Sequence, residues 1–295
     1  MKFVTSTIII FVLVNLDDFV RIDDRDLELG EKIGHGGFGA VYRAEWLSRD
    51  DTVAVKKLHP TCLDEDGERT FFKELLFLNR IRYPHIISFY GACVEKEKYA
   101  LVMEYMPLGS LYKMLHNEDV EISWPERLSI ALQAAKGVNY LHRYNRQILH
   151  RDIKSLNFLL DRNNEGYLVK ICDFGLAKTQ GETRRQSKDD TAVAITLPWT
   201  APEILRFEEY TDKSDIYSLG IVFWELATNK KPYDNCADDV VSRSVRDGQR
   251  LPLTEIQPSN FHTVIQKCWA HNRDNRPDTS RLMEMINDCI QRQSN

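Results

Sequence analysis

The sequence has no CxxC pair and no cysteine spacing typical of a metal site, although it contains six cysteines. That scatter argues against a disulfide framework and favours a reducing compartment, so we expect a cytoplasmic protein. The chain also lacks a strong excess of positive or negative charge, since its net charge is only −5 over 295 residues. Composition therefore gives no global electrostatic argument for binding nucleic acid, and we expect no nucleic-acid partner.

The chain has no internal repeat or low-complexity segment, and its apolar run near the N-terminus is too short to cross a bilayer. This run, Ile8 to Val14, has the length of the hydrophobic part of a signal peptide, but no small-residue cleavage site follows it. We interpret residues 1–26 as an apolar and acidic extension that packs on the domain or forms a loose tail. A signal or a membrane contact through these residues is the less favoured alternative.

The densest group of reactive side chains lies in Leu149 to Asn157 and in the later run Cys172-Asp173-Phe174-Gly175. These stretches place two carboxylates, an amide and a lysine between short apolar runs that predict strands. Mg²⁺ takes one or two carboxylates together with substrate phosphates. A lone aspartate here would more often cap a turn. The joint spacing instead indicates a magnesium–phosphate site with one further acid available to accept a proton.

The pattern His150-Arg151-Asp152, Lys154, Asn157 and then Asp173-Phe174-Gly175 resembles the catalytic core of eukaryotic protein kinases. The match runs from about Leu27 to the C-terminus. The resemblance implies an α+β fold of two lobes joined by a hinge, with ATP and Mg²⁺ as cofactors and proteins as substrates. The implied segments are a small β-rich N-lobe with one key helix at about 27–104, the hinge at about 104–109, and a larger, mainly helical C-lobe at about 110–292.

Glycines at 34, 36, 37 and 39 lie between two strand patterns. A lone GxGxxG is a weak signal that also fits a dinucleotide fold, in which a helix follows the glycines. Here Val41 to Trp46 predicts a second strand, so we expect a hairpin over nucleotide phosphates, with an ordinary glycine turn as the alternative. The ATP-binding residues implied by the resemblance are Ile33, Gly34, His35, Gly36, Gly37, Phe38, Gly39, Val41, Ala54, Lys56, Met103, Glu104, Met106 and Leu159.

Lys56 ends a predicted strand that begins at Thr52, and Glu74 lies in a predicted helix from Glu68 to Arg82. Each residue taken alone fits a solvated surface. The resemblance implies that Lys56 contacts the α- and β-phosphates and forms an ion pair with Glu74. Two further strands are predicted at Ile86–Val94 and Lys98–Glu104.

The resemblance also assigns roles in the larger lobe. Asp152 would accept the proton of the attacking hydroxyl, Lys154 would lie near the γ-phosphate, and Asn157 and Asp173 would hold Mg²⁺. A helix is predicted from Trp124 to about Tyr144, and further helices near 237–247, 260–270 and 279–292. The resemblance pairs Glu203 with Arg276, and it makes Asp215 the holder of the catalytic-loop backbone at the start of a buried helix. We interpret His142, His262 and His271 as structural or surface residues and not as ligands.

Two positions bear on the type of substrate. Lys154, two residues after Asp152, and Thr196, five residues before Ala201, match serine/threonine kinases, whose threonine bridges that aspartate and lysine. Two other segments resemble tyrosine kinases instead: Trp199-Thr200-Ala201-Pro202-Glu203 and Phe223-Trp224-Glu225-Leu226. The mixture resembles the tyrosine-kinase-like (TKL) group, which mostly phosphorylates serine and threonine. Ile195 departs from the pattern, which has a glycine before the threonine.

The segment between Gly175 and Ala201 is polar and rich in hydroxyls, and long loops of this kind are usually functional. Ser187 and Thr191 are candidate phosphorylation sites, because a phosphate there could pair with Arg151 and order the loop. The resemblance implies that the protein phosphorylates its own loop as well as other proteins. The alternative for the loop is that it stays unmodified. The alternatives for the function are a tyrosine or dual-specificity kinase and a pseudokinase scaffold. Pseudokinases typically lose the equivalents of Lys56, Asp152 or Asp173, which are all present here.

Overall fold

The computed structural model describes residues 19–36, 39–59, 65–95, 98–164, 166–179, 196–253 and 258–293. The chain divides into two compact units, Met1–Pro107 and Leu108–Asn295. The division falls inside the hinge predicted at residues 104–109.

The first unit contains an antiparallel sheet with the strand order β1-β2-β3-β5-β4. Alternating side chains give the sheet one buried face, as the pleat of a strand requires. Val53 and Val55 are fully buried on that face and pack with Ala44 and Val102. The strands are β1 (Leu27–Gly36), β2 (Gly39–Trp46), β3 (Asp51–Leu58), β4 (Phe89–Glu95) and β5 (Lys98–Glu104).

Helix α1 (Glu65–Arg80) begins three residues earlier and ends two residues earlier than the prediction of Glu68 to Arg82. Its apolar side buries Phe71, Leu75 and Leu78. The guanidinium of Arg82 donates hydrogen bonds to the carbonyl oxygens of Leu78 and residue 81, at 2.8 and 2.9 Å. Arg82 therefore satisfies carbonyl groups that a helix leaves unpaired at its end, instead of extending the helix.

Strand β4 also begins three residues later than predicted. The N–H of Ile86 donates to the carbonyl of Tyr83 at 3.0 Å, which closes a turn across Pro84. Proline favours such a turn and disfavours a helical residue before it. The turn includes Ile86, the first residue of the predicted strand, and pairing with β5 starts only at Phe89.

Part of the N-terminal extension belongs to the fold of the first unit. Phe19 and Ile22 are buried, and Ala92 in β4 exchanges backbone hydrogen bonds of 3.0 Å with Val20 and Ile22. An added Cβ at Gly91 would lie 2.3 Å from the carbonyl oxygen of Val20, so this close approach requires glycine. Residues 19–26 therefore pack on the sheet, whereas residues 1–18 lie outside the described residues.

Helices are the main regular structure of the second unit. Two small sheets, β6-β8-β9 and β7-β10, accompany them. The strands are β6 (Gly109–Ser110), β7 (Ile148–Leu149), β8 (Phe158–Asn163), β9 (Gly166–Ile171) and β10 (Lys178–Thr179). The helices are α2 (Leu111–Leu115), α3 (Trp124–His142), α4 (Pro202–Leu205), α5 (Asp212–Thr228), α6 (Asp238–Arg246), α7 (Ser259–Cys268) and α8 (Thr279–Gln293).

Helix α3 confirms the helix predicted to open at Trp124. The carboxylate of Glu126 accepts a hydrogen bond of 2.9 Å from the N–H of Ser123, and Pro125 occupies the first turn. Both features are typical of helix starts. The helix ends at His142, two residues before the predicted end.

Helix α5 is buried on every side from Ser214 to Leu226, as its apolar sequence predicts. Gly220 allows α7 to approach, because an added Cβ there would lie 2.8 Å from the Cβ of Cys268. One unit built on a five-stranded sheet with a helix, and a second built mainly from helices, confirm the predicted α+β fold class. Within the described ranges, no helix is both long enough and apolar enough to cross a lipid bilayer.

Candidate active site

Lys56 and Glu74 form the ion pair that the sequence resemblance implies. The Nζ atom of Lys56 lies 2.8 and 2.9 Å from the two carboxylate oxygens of Glu74. The lysine side chain is 14% exposed and the glutamate side chain 6%, so the pair lies largely away from water. Strand β3 and helix α1 thereby present one fixed ammonium group within the first unit, which is the kind of group that binds phosphate as a point charge.

Packing explains the presence of glycine at one position near the β1–β2 turn but not at another. An added Cβ at Gly39 would lie 2.1 Å from the carbonyl oxygen of Lys57, so the packing of β2 on β3 itself excludes a side chain. At Gly34 an added Cβ would lie 3.7 Å from Val41, an ordinary contact distance. Packing within the first unit therefore does not require glycine at residue 34. Gly37 and Phe38 lie outside the described residues, as do the side chains at positions 35 and 36.

The residues expected around adenine lie in both units. In the first unit Ala54 and Met103 are paired in the β3–β5 register and are buried, as is Met106, whereas Ile33 is exposed. Val41 in β2 is half-buried. In the second unit Leu159 lies half-buried in β8.

Glu104 has a backbone constraint that bears on adenine binding. Its N–H donates to the carbonyl of Ser88 at 3.0 Å, and its carboxylate accepts from the N–H of the same residue at 2.6 Å. A contact between Glu104 and adenine would therefore use the carbonyl oxygen of Glu104.

In the second unit, Asp152, Lys154 and Thr196 form a closed set of contacts. The Nζ atom of Lys154 lies 2.7 Å from a carboxylate oxygen of Asp152 and 3.2 Å from the hydroxyl of Thr196. That hydroxyl donates to the other carboxylate oxygen of Asp152 at 3.0 Å. The structure thus brings together two loops that are 42 residues apart in the sequence. An ionised aspartate held in this way can accept a proton from a hydroxyl group placed beside it.

Asn157 and Asp173 are the two residues implied as magnesium ligands. The amide nitrogen of Asn157 donates to the backbone carbonyl and to a carboxylate oxygen of Asp152, at 2.8 and 3.0 Å. Its amide oxygen is consequently the atom that could bind a cation. The carbonyl of Asn157 accepts from the N–H of Cys172 at 2.9 Å, which brings Asp173 next to Asn157. Hard oxygen donors of these two types fit Mg²⁺.

Asp215 holds the start of the catalytic loop, as expected. Its carboxylate accepts hydrogen bonds from the N–H groups of His150 and Arg151, at 3.0 and 3.1 Å. These bonds hold Arg151 at a φ of 68°, in the left-handed region that is rare for a residue with a side chain. Burial opposes ionisation of Asp215, but the hydrogen bond and charge of His142 offset it, so that the pKa of Asp215 lies below its ordinary value.

Sequence reasoning missed two side chains that complete the shell around Asp215. His142 Nε2 lies 2.8 Å from one carboxylate oxygen, and the hydroxyl of Tyr210 donates to the other at 2.6 Å. The contact of His142 with Asp215 agrees with its interpretation as a structural residue. Burial of an aspartate in an apolar helix was the available signal, since such a group needs several donors.

Glu203 and Arg276 form the predicted buried ion pair. Two guanidinium nitrogens of Arg276 lie 2.7 and 2.8 Å from the two carboxylate oxygens of Glu203. Burial opposes ionisation of Glu203, yet the hydrogen bonds and charge of Arg276 hold its pKa below the ordinary value. The pair joins the start of α4 to the segment before α8 within the second unit.

The predicted phosphorylation sites Ser187 and Thr191 lie outside the described residues, and so does Ile195. Arg151, the proposed partner of a phosphate there, lies with its guanidinium 5.5 Å from the centre of the Tyr210 ring. The phosphorylation sites therefore remain predictions.

Comparison with known proteins gives the relationship of this chain. The family model described as "Protein tyrosine and serine/threonine kinase" matches residues 27–286. The chain belongs to the protein kinase family. Relatives that it matches, among them CTR1 and the drk kinases, are of the tyrosine-kinase-like group, in agreement with the mixture of motifs in the sequence.

Three curated kinases illustrate the similarity. The chain is 38% identical over 273 residues to the probable serine/threonine-protein kinase drkB of Dictyostelium discoideum, and 40% identical over 271 residues to the serine/threonine-protein kinase CTR1 of Arabidopsis thaliana. It is 34% identical over 285 residues to the putative serine/threonine-protein kinase/receptor R831 of Acanthamoeba polyphaga mimivirus. The alignments cover 92%, 90% and 97% of this chain. They cover only 38%, 32% and 16% of those kinases, so the chain spans a minor part of each relative's length.

Proposed function

We propose that this chain transfers the γ-phosphate of Mg·ATP to serine and threonine hydroxyls of proteins, including hydroxyls in its own loop between Gly175 and Ala201. The observation that supports this best is the set of contacts among Asp152, Lys154 and Thr196. A threonine bridging the catalytic aspartate and lysine is the serine/threonine arrangement, and tyrosine kinases have proline in its place. The names of the related kinases point in the same direction.

In the proposed reaction, the oxygen of the acceptor hydroxyl forms a bond to the γ-phosphorus while the bond between that phosphorus and the bridging oxygen of ADP breaks. Asp152 orients the hydroxyl and takes its proton, and Lys154 neutralises charge on the transferred group. Lys56, held by Glu74, would bind the α- and β-phosphates. Asn157 and Asp173 would hold Mg²⁺, which when bound neutralises charge on the phosphates.

Substrate proteins and ATP are the partners that this function requires. We further propose a cytoplasmic location. The scattered cysteines support it, and the five within the described residues are all free thiols.

Phosphate transfer from Mg·ATP to a generic protein substrate and to the protein itself tests the proposal. We expect phosphoserine and phosphothreonine in the products of the wild type, and a loss of at least about 100-fold with Asp152→Asn, because general-base catalysis is worth about 10²–10⁴-fold. Asp119→Asn, on an exposed loop before α3, changes the charge equally and is the matched control.

Phosphotyrosine as the main product would instead support a tyrosine or dual-specificity kinase. A wild type that transfers no phosphate, even after another kinase has phosphorylated its loop, would overturn the proposal. Stabilisation of that inactive protein by ATP would then favour a nucleotide-binding scaffold.

A further inference from the structure

Glu225 is a buried carboxyl group in the apolar helix α5, and it contacts two separate loops. One of its oxygens accepts a hydrogen bond of 2.7 Å from the hydroxyl of Ser155, and the other accepts a bond of 2.7 Å from the indole N–H of Trp199. The side chain is completely inaccessible to solvent. A substrate in solution therefore does not reach Glu225, and any effect of this residue on the reaction passes through its two partners.

A carboxyl group at this position is costly for the helix. Transfer of a charge into a protein interior is unfavourable unless it is well compensated. Burial raises the pKa of Glu225 to about 8, and the hydrogen bonds from Ser155 and Trp199, both neutral, offset this only in part. An apolar side chain would fill the same space in α5 without that cost. The presence of glutamate is therefore better explained by its two hydrogen bonds than by packing.

Both partners lie next to residues of the candidate site. Ser155 directly follows Lys154, and its own side chain is fully buried. Trp199 lies three residues after Thr196, and its N–H donates to the carbonyl of Thr196 at 3.2 Å. A shift of either partner would consequently move Lys154 or Thr196, both of which contact the carboxylate of Asp152.

Trp199 is held to α5 at two points. Besides the bond from its indole to Glu225, its carbonyl oxygen accepts a bond of 2.8 Å from the hydroxyl of Ser218, two turns earlier in the same helix. Asp215, at the start of α5, holds His150 and Arg151. Through Asp215 the helix fixes the start of the catalytic loop, residues 150–157. Through Glu225 it links the later part of that loop to the Thr196 loop, residues 196–201.

We infer that Glu225 is a positioning residue that fixes the catalytic loop relative to the Thr196 loop, and so places Lys154 and Thr196 against Asp152 for transfer to a protein hydroxyl. The inference rests on the proposed function for its catalytic consequence. Glu225 makes no contact with substrate in this role.

Substitutions at Glu225 separate the hydrogen bonds from packing. In Glu225→Gln, the amide oxygen can accept from Trp199 and the amide nitrogen can donate to the Ser155 hydroxyl, which is able to accept. We expect this variant to retain transfer within about threefold of wild type, since both links are kept. Glu225→Leu removes both links, and we expect kcat to fall by about 10- to 100-fold, the range reached when a residue remote from the reacting atoms misplaces them.

Further variants remove one link each. Ser155→Ala and Trp199→Phe should each give a smaller loss than Glu225→Leu. Val222→Ala, in the same helix, removes buried volume and controls for general destabilisation. KM for ATP should stay unchanged in every variant, because neither Glu225 nor its two partners is among the residues expected to bind ATP. Equal losses in Glu225→Leu and in Val222→Ala, or a loss in Glu225→Gln as large as in Glu225→Leu, would contradict the inference.

Amide hydrogen exchange provides a readout that does not depend on activity. We expect faster exchange in segments 150–157 and 196–201 of Glu225→Leu, with wild-type exchange in Glu225→Gln. If the wild type transfers no phosphate, the proposed function fails, and the exchange result still decides whether Glu225 holds the two loops. Unchanged exchange in Glu225→Leu overturns the positioning role whether or not the wild type is active.

Discussion

Lys56 and Glu74 meet through two hydrogen bonds of 2.8 and 2.9 Å, and both side chains are largely buried in the first unit. Lys56→Met leaves a buried carboxylate without this cation, and breaking a buried pair costs about 3–5 kcal/mol. We therefore expect Lys56→Met to lower the free energy of unfolding by about that amount and to abolish phosphate transfer. Urea unfolding and a transfer assay measure the two effects.

The double variant Lys56→Met/Glu74→Leu separates stability from function. Replacement of a buried ion pair by apolar residues is often neutral for stability. We expect the double variant to recover most of the lost stability and none of the activity. Recovery of transfer in the double variant would show that Lys56 acts only in folding.

Gly34 and Gly39 should respond differently to alanine. Gly39→Ala places a Cβ 2.1 Å from the Lys57 carbonyl, so we expect a loss of stability of about 1–3 kcal/mol, as for other overpacked sites. Gly34→Ala meets Val41 at 3.7 Å and should leave the melting temperature within about 2 °C, while weakening ATP binding.

Calorimetry with and without Mg·ATP measures the melting temperature and the ATP affinity of both variants and of the wild type. Equal thermal destabilisation by the two alanines, with unchanged ATP affinity in Gly34→Ala, would mean that Gly34 serves the fold and not the nucleotide.

Arg276 keeps the pKa of Glu203 below its ordinary value of 4.5. A carboxyl group with a lowered pKa contributes stability above the unfolded-state pKa and loses it as pH falls through the folded-state pKa. We expect the free energy of unfolding to fall on acidification below about pH 4.5, and the lowered pKa of Asp215 adds to this fall. Arg276→Met should cost about 3–5 kcal/mol at pH 7.

Arg281→Met is the matched control for Arg276→Met, because Arg281 pairs with Glu284 at 2.8 Å on the exposed face of α8. Surface pairs of this kind contribute at most about 1 kcal/mol. Similar losses in the two arginine variants would contradict the importance assigned to the buried pair.

The raised pKa of Glu225 predicts the opposite pH dependence of the free energy of unfolding. Burial raises its pKa from the ordinary 4.5 to about 8, so the folded protein keeps a proton that the unfolded chain has lost. The stability from this group is complete below pH 4.5, declines as pH rises, and is lost above about pH 8. We expect Glu225→Gln to be less sensitive to pH than the wild type between pH 5 and pH 8, as measured by urea unfolding at half-unit intervals.

Glu121→Gln, at an exposed position, controls for the loss of one carboxylate. An identical slope in the wild type and in Glu225→Gln over this interval would show that Glu225 ionises normally in the folded protein.

Local sequence patterns predicted much of the fold, and the roles of the site residues follow from the resemblance to protein kinases. The strands around Lys56 and the helix that contains Asp215 follow from periodicity and apolar composition, and the order of motifs identified the family. Element ends were less predictable, because the end of α1 depends on where the Arg82 guanidinium reaches and the start of β4 on a turn at Pro84.

Contacts between distant residues could not be predicted from local pattern. His142 and Asp215 are 73 residues apart, and Ser155 and Glu225 are 70 apart. The sequence did contain a signal for the second contact, since Glu225 interrupts an apolar run. The neighbouring residues do not indicate that Ser155 and Trp199 are its partners. The loop with Ser187 and Thr191 lies outside the described residues, and its phosphorylation stays a prediction.

Strand β4 is the last strand in the sheet order of the first unit, and Ala92 at its centre bonds to Val20 and Ile22. An open edge strand offers its N–H and C=O groups to strands of other molecules and is a common starting point for aggregation. The segment 19–22 occupies that edge with its own backbone. These residues thereby cover an edge through which two molecules could associate. A chain that is shortened to remove them should aggregate more readily in solution, although it keeps all of its catalytic residues.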